Sequence, residues 1–405
     1  MRNTPPPPGS SWSPEPQRRD DFAPAPFAHQ QEQVWAWPPG PATGEAHAAQ
    51  AWAWPPPAPP RRTGGLGRPA PGTRYHRLAR THRHRWWRPL LAAFTAVGLI
   101  VVVQLVMGLA AVVIAVVNGM EATGDSFFGA PVPDLAFQLV VLATMTPIVV
   151  FTAWAVQRRP VGTLFSVTGR LRWGWLGTCL LLSVPALVVS FSALYGLMLA
   201  ADPGASFVGE FAGGGGFAAA LVVIVLLVPF QASAEEIALR GFVMQTVGSY
   251  GAGADEPRGD RPVARFLRTP VLGILISGTV FTLLHAYVGW GLLDVAVFGI
   301  AMAWLTWYTG GLEAAIALHV LHNVVAFGLS AYEGTLADAG TGGGSWQGVV
   351  STAIEVGVFC LLVVYLARRR GVRATVPDDP AAPPAPHPAA PAAPAVPPGP
   401  AYGGP

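Results

Sequence analysis

The sequence predicts an all-α, polytopic membrane bundle of about eight transmembrane helices with disordered Pro-rich tails. Three observations predict it. Hydrophobic residues fill 52% of the 405 positions and charged residues only 12%, about half the usual share for a soluble domain. The apolar residues gather into runs of the roughly 17–25 residues that a membrane span requires. The loops between those runs alternate between arginine-rich and acidic.

The chain divides into three parts. Residues 1–85 carry Pro runs and two copies of Trp-Ala-Trp-Pro-Pro, at Trp35 to Pro39 and Trp52 to Pro56. They show no apolar period and no signal-peptide pattern, and they read as a disordered tail with polyproline character. The tail ends in the basic stretch Arg74 to Arg88, with six arginines, three histidines and the pair Trp86-Trp87. Its position directly before an apolar run fits a juxtamembrane anchor on the bilayer better than a nucleic-acid site. Residues 86–370 form the transmembrane bundle, and residues 371–405 a second Pro/Ala-rich tail.

Within the bundle the spans run from about Leu90 to Val117, Leu135 to Val156 and Gly174 to Ala200. They continue from Phe217 to Val247, Val271 to Val288, Leu292 to Tyr308, Leu312 to Leu329 and Val349 to Ala367. Acidic residues follow the first span (Glu121, Asp125, Asp134), the third (Asp202, Glu210) and the seventh (Glu333, Asp338). Arginines follow the second (Arg158, Arg159, Arg170, Arg172), the fourth (Arg258, Arg261, Arg265, Arg268) and the eighth (Arg368, Arg369, Arg370, Arg373). Arginine-rich loops stay inside, so the expectation is a multi-pass protein of the cell membrane with both termini in the cytoplasm. Pro147, Pro185 and Pro229 fall inside spans, where a missing backbone N–H kinks a helix. Cys179 and Cys360 lie in apolar segments and read as small buried hydrophobes.

The fourth span carries Glu235, Glu236 and Arg240 in an otherwise apolar setting. Ionisable groups at membrane depth are costly and mark functional sites by default. At about 100° per residue Glu236 and Arg240 share a face and can pair, whereas Glu235 points elsewhere and lacks that partner. Further polar residues sit on later spans: His285 four after Phe281 on the fifth, and His319 four before Asn323 on the seventh. His322, about 60° from His319 around the same helix, competes for any role given to His319. Singly, such a histidine is more often a helix-to-helix hydrogen bonder than a catalyst.

Together these residues make three motifs in order, Glu-Glu-x-x-x-Arg, Phe-x-x-x-His and His-x-x-x-Asn, and the set resembles the CPBP family of intramembrane proteases. That family groups CAAX proteases with bacteriocin-processing, Abi-like proteins and includes the type II CAAX prenyl endopeptidases. The resemblance covers about residues 217–329. It implies a helical bundle with a site in a cavity open towards the cytoplasm, and an intramembrane endopeptidase acting on a membrane-associated protein or peptide.

The physical reading agrees. Peptide hydrolysis needs an activated water and donors for the tetrahedral oxyanion. Glu235 suits the general base, with His285 holding the same water, while the resemblance implies that His319 and Asn323 donate to the oxyanion. Glu236, Arg240 and Phe281 are supporting residues, the first two as a charge pair at membrane depth. No cofactor is required on this reading. The rival is a zinc hydrolase, with Glu235, His285 and His319 as a three-ligand open site, although the chain lacks HExxH. Two other classes use the same residues differently: a proton-coupled transporter, for which the duplicated halves are missing, and a non-catalytic bacteriocin-immunity or scaffold protein. The expected partners are the lipid bilayer and a membrane protein or peptide substrate, with no nucleic acid.

Overall fold

The computed structural model of the chain describes residues 65–120 and 126–378. The Pro-rich and Trp-repeat stretches before residue 65, the acidic residues Glu121 and Asp125, and the tail beyond residue 378 lie outside the described residues.

Among the described residues seven helical stretches are long and apolar enough to cross a membrane. α1 (Trp87–Val117) opens the bundle. It turns an alanine stripe, Ala92, Ala96, Ala111 and Ala115, towards its neighbours, and Phe94, Leu105 and Leu109 outward, as expected where lipid is the solvent and small residues let helices approach. The second span is two helices, α2 (Pro131–Ala143) and α3 (Met145–Ala155). The break at Thr144 is the work of Pro147, which cannot donate to the carbonyl of Ala143 four residues back. α4 (Trp173–Ala201) contains Pro185 and α5 (Gly214–Glu236) contains Pro229 without interruption. The span begun by α5 continues through a π-helical segment, Ile237–Val243, into α6 (Met244–Gly248). The short α7 (Pro262–Leu267) precedes α8 (Val271–Leu283). The bundle closes with α9 (Gly289–Thr309), α10 (Glu313–Glu333) and α11 (Trp346–Arg370).

The fifth predicted span is corrected. A helix to Val288 was expected, but α8 has 13 residues and stops at Leu283, about 20 Å at 1.5 Å per residue. His285 ends it: the imidazole Nδ1 lies 2.7 Å from the carbonyl of Phe281 and satisfies a group that the next helical turn would have bonded. The chain then runs extended as β1 (Ala286–Tyr287), parallel to β2 (Thr341–Gly342) in the loop before α11.

The tail boundaries move as well. Tail character to residue 85 was expected, yet from Gly65 the chain forms a strap against the end of the bundle. Tyr75 and Leu78 are fully buried, and the Tyr75 hydroxyl donates to the carbonyl of Leu164 at 2.5 Å. At the other end, residues 371–376 remain ordered. The Gly72 N–H donates to Val376 O and the Val376 N–H to Thr73 O. The segment before α1 and the segment after α11 therefore meet on one face of the bundle.

The same face gathers the arginine-rich loops. The Gly67 N–H donates to Arg158 O, His76 bonds the carbonyl of Arg268, and Arg172 donates to the carbonyl of Arg373. On the opposite face the Gly209 N–H donates to Glu333 and the Ala212 N–H to Tyr332 O. At the start of α10, Glu313 is fully buried and grips Arg172 through two bonds, Nε to Oε1 at 2.8 Å and Nη2 to Oε2 at 2.7 Å. A carboxylate in a first helical turn also suits the helix dipole. This pair holds the beginnings of α4 and α10 together.

Candidate active site

The site begins where α5 passes into the π-helical segment. Such segments bond i to i+5, are rare, and occur frequently at functional sites. Gly241 within it is required by packing, because a Cβ there would stand 2.9 Å from the carbonyl of Leu164. Glu236 and Arg240 pair across this transition at 2.9 Å, both fully buried. The Arg240 guanidinium also donates to the carbonyl of Gly299 at 3.0 Å and lies 4.3 Å from the centroid of the Phe281 ring. Gly299 makes that arrangement possible, since a Cβ at this position would come within 2.8 Å of Phe281. Thus the aromatic of the Phe-x-x-x-His motif is the cushion under the arginine of the first motif, a contact that desolvation strengthens.

Glu236 does more than hold Arg240. Its Oε1 also receives His319 Nδ1 at 2.8 Å. A carboxylate only accepts here, so Nδ1 carries the proton and the ring is oriented with Nε2 towards Glu235, 3.6 Å from Glu235 Oε2. That separation is too long for a direct hydrogen bond and suits two groups that address the same small reactant. His319 is 3% exposed, with its ring set edge-on to Phe281 and Phe298.

Glu235 is buried too, and its outer oxygen, Oε2, has no hydrogen-bond partner among the described residues. Its other oxygen receives the amide of Gln231 at 2.5 Å. Gln231 in turn accepts from the Asn323 amide at 3.3 Å. The sequence reading missed Gln231. The signal was available: a single amide in an apolar run, four residues before Glu235 and therefore on its face.

The four candidate catalytic residues are not joined equally. Glu235, His319 and Asn323 form one hydrogen-bonded and facing set through Glu236 and Gln231. His285 packs against Phe281, its ring centroid 4.5 Å from that of the phenyl ring. Its Nδ1–H is committed to the Phe281 carbonyl, which leaves Nε2 as an acceptor in the neutral ring. No hydrogen bond among the described residues links His285 to Glu235 or His319.

His322 is placed differently from His319. It bonds Glu355 on α11 at 2.9 Å, and Glu355 also accepts from Ser190 on α4 at 3.3 Å. Phe298 separates the two histidines, its ring lying 5.4 Å from that of His322. Glu355 is a further buried carboxylate that the sequence reading passed over within its last span.

The zinc set of Glu235, His285 and His319 is not assembled in this arrangement. Among the described residues no three His, Cys, Asp or Glu side chains converge in a metal-holding group; His285 and His319 both pack on the Phe281 ring, at 4.5 and 5.6 Å between centroids.

Comparison with known proteins follows the same stretch of chain. A family model described as type II CAAX prenyl endopeptidase Rce1-like matches residues 215–325, the segment from the start of α5 to just past Asn323. Among curated proteins, the uncharacterized protein YyaK of Bacillus subtilis (strain 168) is 24% identical over 255 residues, 59% of this chain and 76% of that protein. No solved structure matches the chain.

Proposed function

We propose, from the match of residues 215–325 to the type II CAAX prenyl endopeptidase Rce1-like family model, that this chain hydrolyses a peptide bond of a membrane-associated protein or peptide with Glu235 as general base. The observation that carries the reading is the division of labour between adjacent glutamates. Glu236 Oε1 takes both Arg240 and His319, whereas Glu235 has no cation on it, takes only the Gln231 amide and turns its free Oε2 towards His319 Nε2 at 3.6 Å; the Oε2 of each carboxylate is without a partner among the described residues.

In this mechanism Glu235 takes a proton from water and the hydroxide adds to the scissile carbonyl carbon. The carbonyl electron pair moves to oxygen, and the resulting oxyanion is met by N–H donors from His319 Nε2 and the second amide hydrogen of Asn323. Donation from Nε2 while Nδ1–H stays on Glu236 requires the ring to carry both protons. Glu235 then passes its proton to the leaving nitrogen as the C–N bond breaks. His285, through Nε2, accepts the remaining hydrogen of the water when substrate draws the site together. Apo catalytic contacts are commonly longer than those of the loaded site.

Gln231 and Glu236 are positioning residues, one for the base and one for His319. A zinc ion would use Glu235, His285 and His319 and would supply Lewis-acid activation of the same water; the reading without metal gives that activation to Glu235. The arginine-rich face is assigned to the cytoplasm by the charge rule. The deciding experiment is cleavage of the chain's own membrane substrate, found by comparing membrane proteomes of the wild type and a Glu235→Gln strain. A protein that accumulates uncut in the variant supports the protease. Identical proteomes, with the variant present at normal abundance, would favour the scaffold or immunity reading.

A further inference from the structure

Away from the protease residues, the arginine-rich face holds a cavity of about 370 Å³ lined by Gly72, Thr73, Arg74, His76, Arg77, Arg268, Pro270 and Trp307, room for roughly a dozen waters at ~30 Å³ each. No acidic residue lines it. Its wall joins three parts of the chain: the strap before α1, the start of α8 at Pro270, and the last turn of α9 at Trp307.

The polar groups around this cavity differ in how far they are already satisfied. Arg77 is spent on the carbonyls of Gly248, Tyr250 and Gly251. Arg268 is spent on those of Ala252 and Gly259. Arg74 makes no side-chain hydrogen bond or ion pair among the described residues, and its guanidinium lies 5.3 Å from the centre of the Trp307 ring. The indole N–H of Trp307 is buried and has no acceptor among the described residues. His76 is 3% exposed; its Nε2 bonds the Arg268 carbonyl, and its Nδ1 has no partner. The wall thus offers an uncommitted cation, an indole donor without an acceptor and the positive end of a 13-residue helix, with no carboxylate to answer them.

We propose that this cavity binds a phosphate group, that of an anionic phospholipid headgroup in the leaflet on the arginine-rich face. Phosphate oxygens accept from the exposed Arg74 fork, and from the Trp307 N–H once the indole, whose nitrogen is buried, turns to meet them. The cavity stands beside the tryptophan and arginine residues that mark a membrane interface. Occupancy would tie the strap to α8, the helix whose far end carries Phe281 and His285. The inference does not depend on the protease assignment.

The test uses the full-length chain in phosphatidylcholine bilayers with and without phosphatidylglycerol. Phosphorus NMR and native mass spectrometry read the phosphatidylglycerol retained per chain. The expected result is one retained phosphatidylglycerol, with binding weakened about tenfold by Arg74→Gln and by Trp307→Phe, which removes the N–H and keeps an aromatic ring. Arg85→Gln, an exposed arginine of the same basic stretch outside the cavity, should leave it unchanged. Displacement of the lipid by inorganic phosphate would assign the site to soluble phosphate esters instead of a headgroup, overturning the lipid source while keeping the phosphate chemistry. Equal retention by wild type and both cavity variants, or an equal loss in Arg85→Gln, would reduce the binding to general surface charge and overturn the site.

Discussion

Replacing Glu236 with glutamine tests the architecture more sharply than removing the base, because two buried groups depend on the one oxygen. Arg240 and His319 approach Glu236 Oε1 at 2.9 and 2.8 Å, and Arg240 is completely buried. Breaking a buried pair by removing one partner costs about 3–5 kcal/mol. Arg240 retains its bond to Gly299 and its seat on Phe281, so the loss should fall at the lower end, near 3 kcal/mol. At about 2 °C per kcal/mol, the low end of the slope for large domains, melting in detergent should fall by about 6 °C. The double variant Glu236→Gln with Arg240→Met removes the orphaned charge and should recover most of that stability, since apolar replacements of buried pairs are often neutral. It should not recover cleavage, because His319 has lost the carboxylate that orients it. The assay is a thermal melt and a peptide-cleavage rate on the same three preparations: wild type, Glu236→Gln and the double variant. A Glu236→Gln protein that melts and cleaves like wild type, or a double variant that regains full activity, would refute the shared-carboxylate argument.

Other outcomes follow from the same geometry. Glu235→Gln should accumulate normally and lose roughly 10²- to 10⁴-fold in rate, the usual contribution of a positioned base; a near wild-type rate removes the assignment. Protein stripped with a chelator should keep cleaving, and loss with recovery on zinc would hand the chemistry to the metal. Cysteines placed at Asp202 and Asp338 should label from outside intact cells and a cysteine at Glu256 should not; labelling in the reverse pattern would invert the topology. Burial pushes the His76 imidazole down to about 4, below its ordinary value near 6.5, so the unfolded strap binds the extra proton more readily. Strap stability should therefore be complete above about pH 6.5, decline as the pH falls, and have lost about 3 kcal/mol by pH 4. Amide hydrogen exchange between Arg74 and Arg88, corrected for its intrinsic pH dependence, should accelerate across that window in wild type and less steeply in His76→Phe, where His84, also pushed down to about 4 by burial, still titrates; equal profiles for the two proteins would show that the His76 ring is not held neutral.

Much of this protein is legible from its sequence because the bilayer enforces simple rules. Apolar run length marks the spans, and the alternation of arginine and acid sorts the loops onto two faces, as the pairing of Gly67 with Arg158 and of Gly209 with Glu333 bears out. Helical phase separated Glu235 from Glu236 correctly. It did not reveal that Glu236 also holds His319, since that contact spans 83 residues and the four helices α6 to α9. Nor does period mark the end of α8: a histidine reaching back to a carbonyl of its own helix stops it, and hydropathy has no term for that. The strap was misread because Pro, Gly and Arg composition signals disorder, while two fully buried side chains, Tyr75 and Leu78, decide its placement.

The pairing of Gly72 and Thr73 with Val376 joins residues that leave the ribosome about 300 positions apart. The strap cannot complete its bonds until α11 has crossed the bilayer, so the first described residues to be made are among the last to be fixed. Such distant closure is slow for topological reasons. During synthesis the basic stretch from Arg74 to Arg88 has only the membrane surface to rest on, while α1 shows most of its Val and Leu side chains to lipid. A chain stopped before Trp346 would hold its early helices in the membrane yet leave the strap without the strand it pairs with, giving assembly a built-in marker of completion.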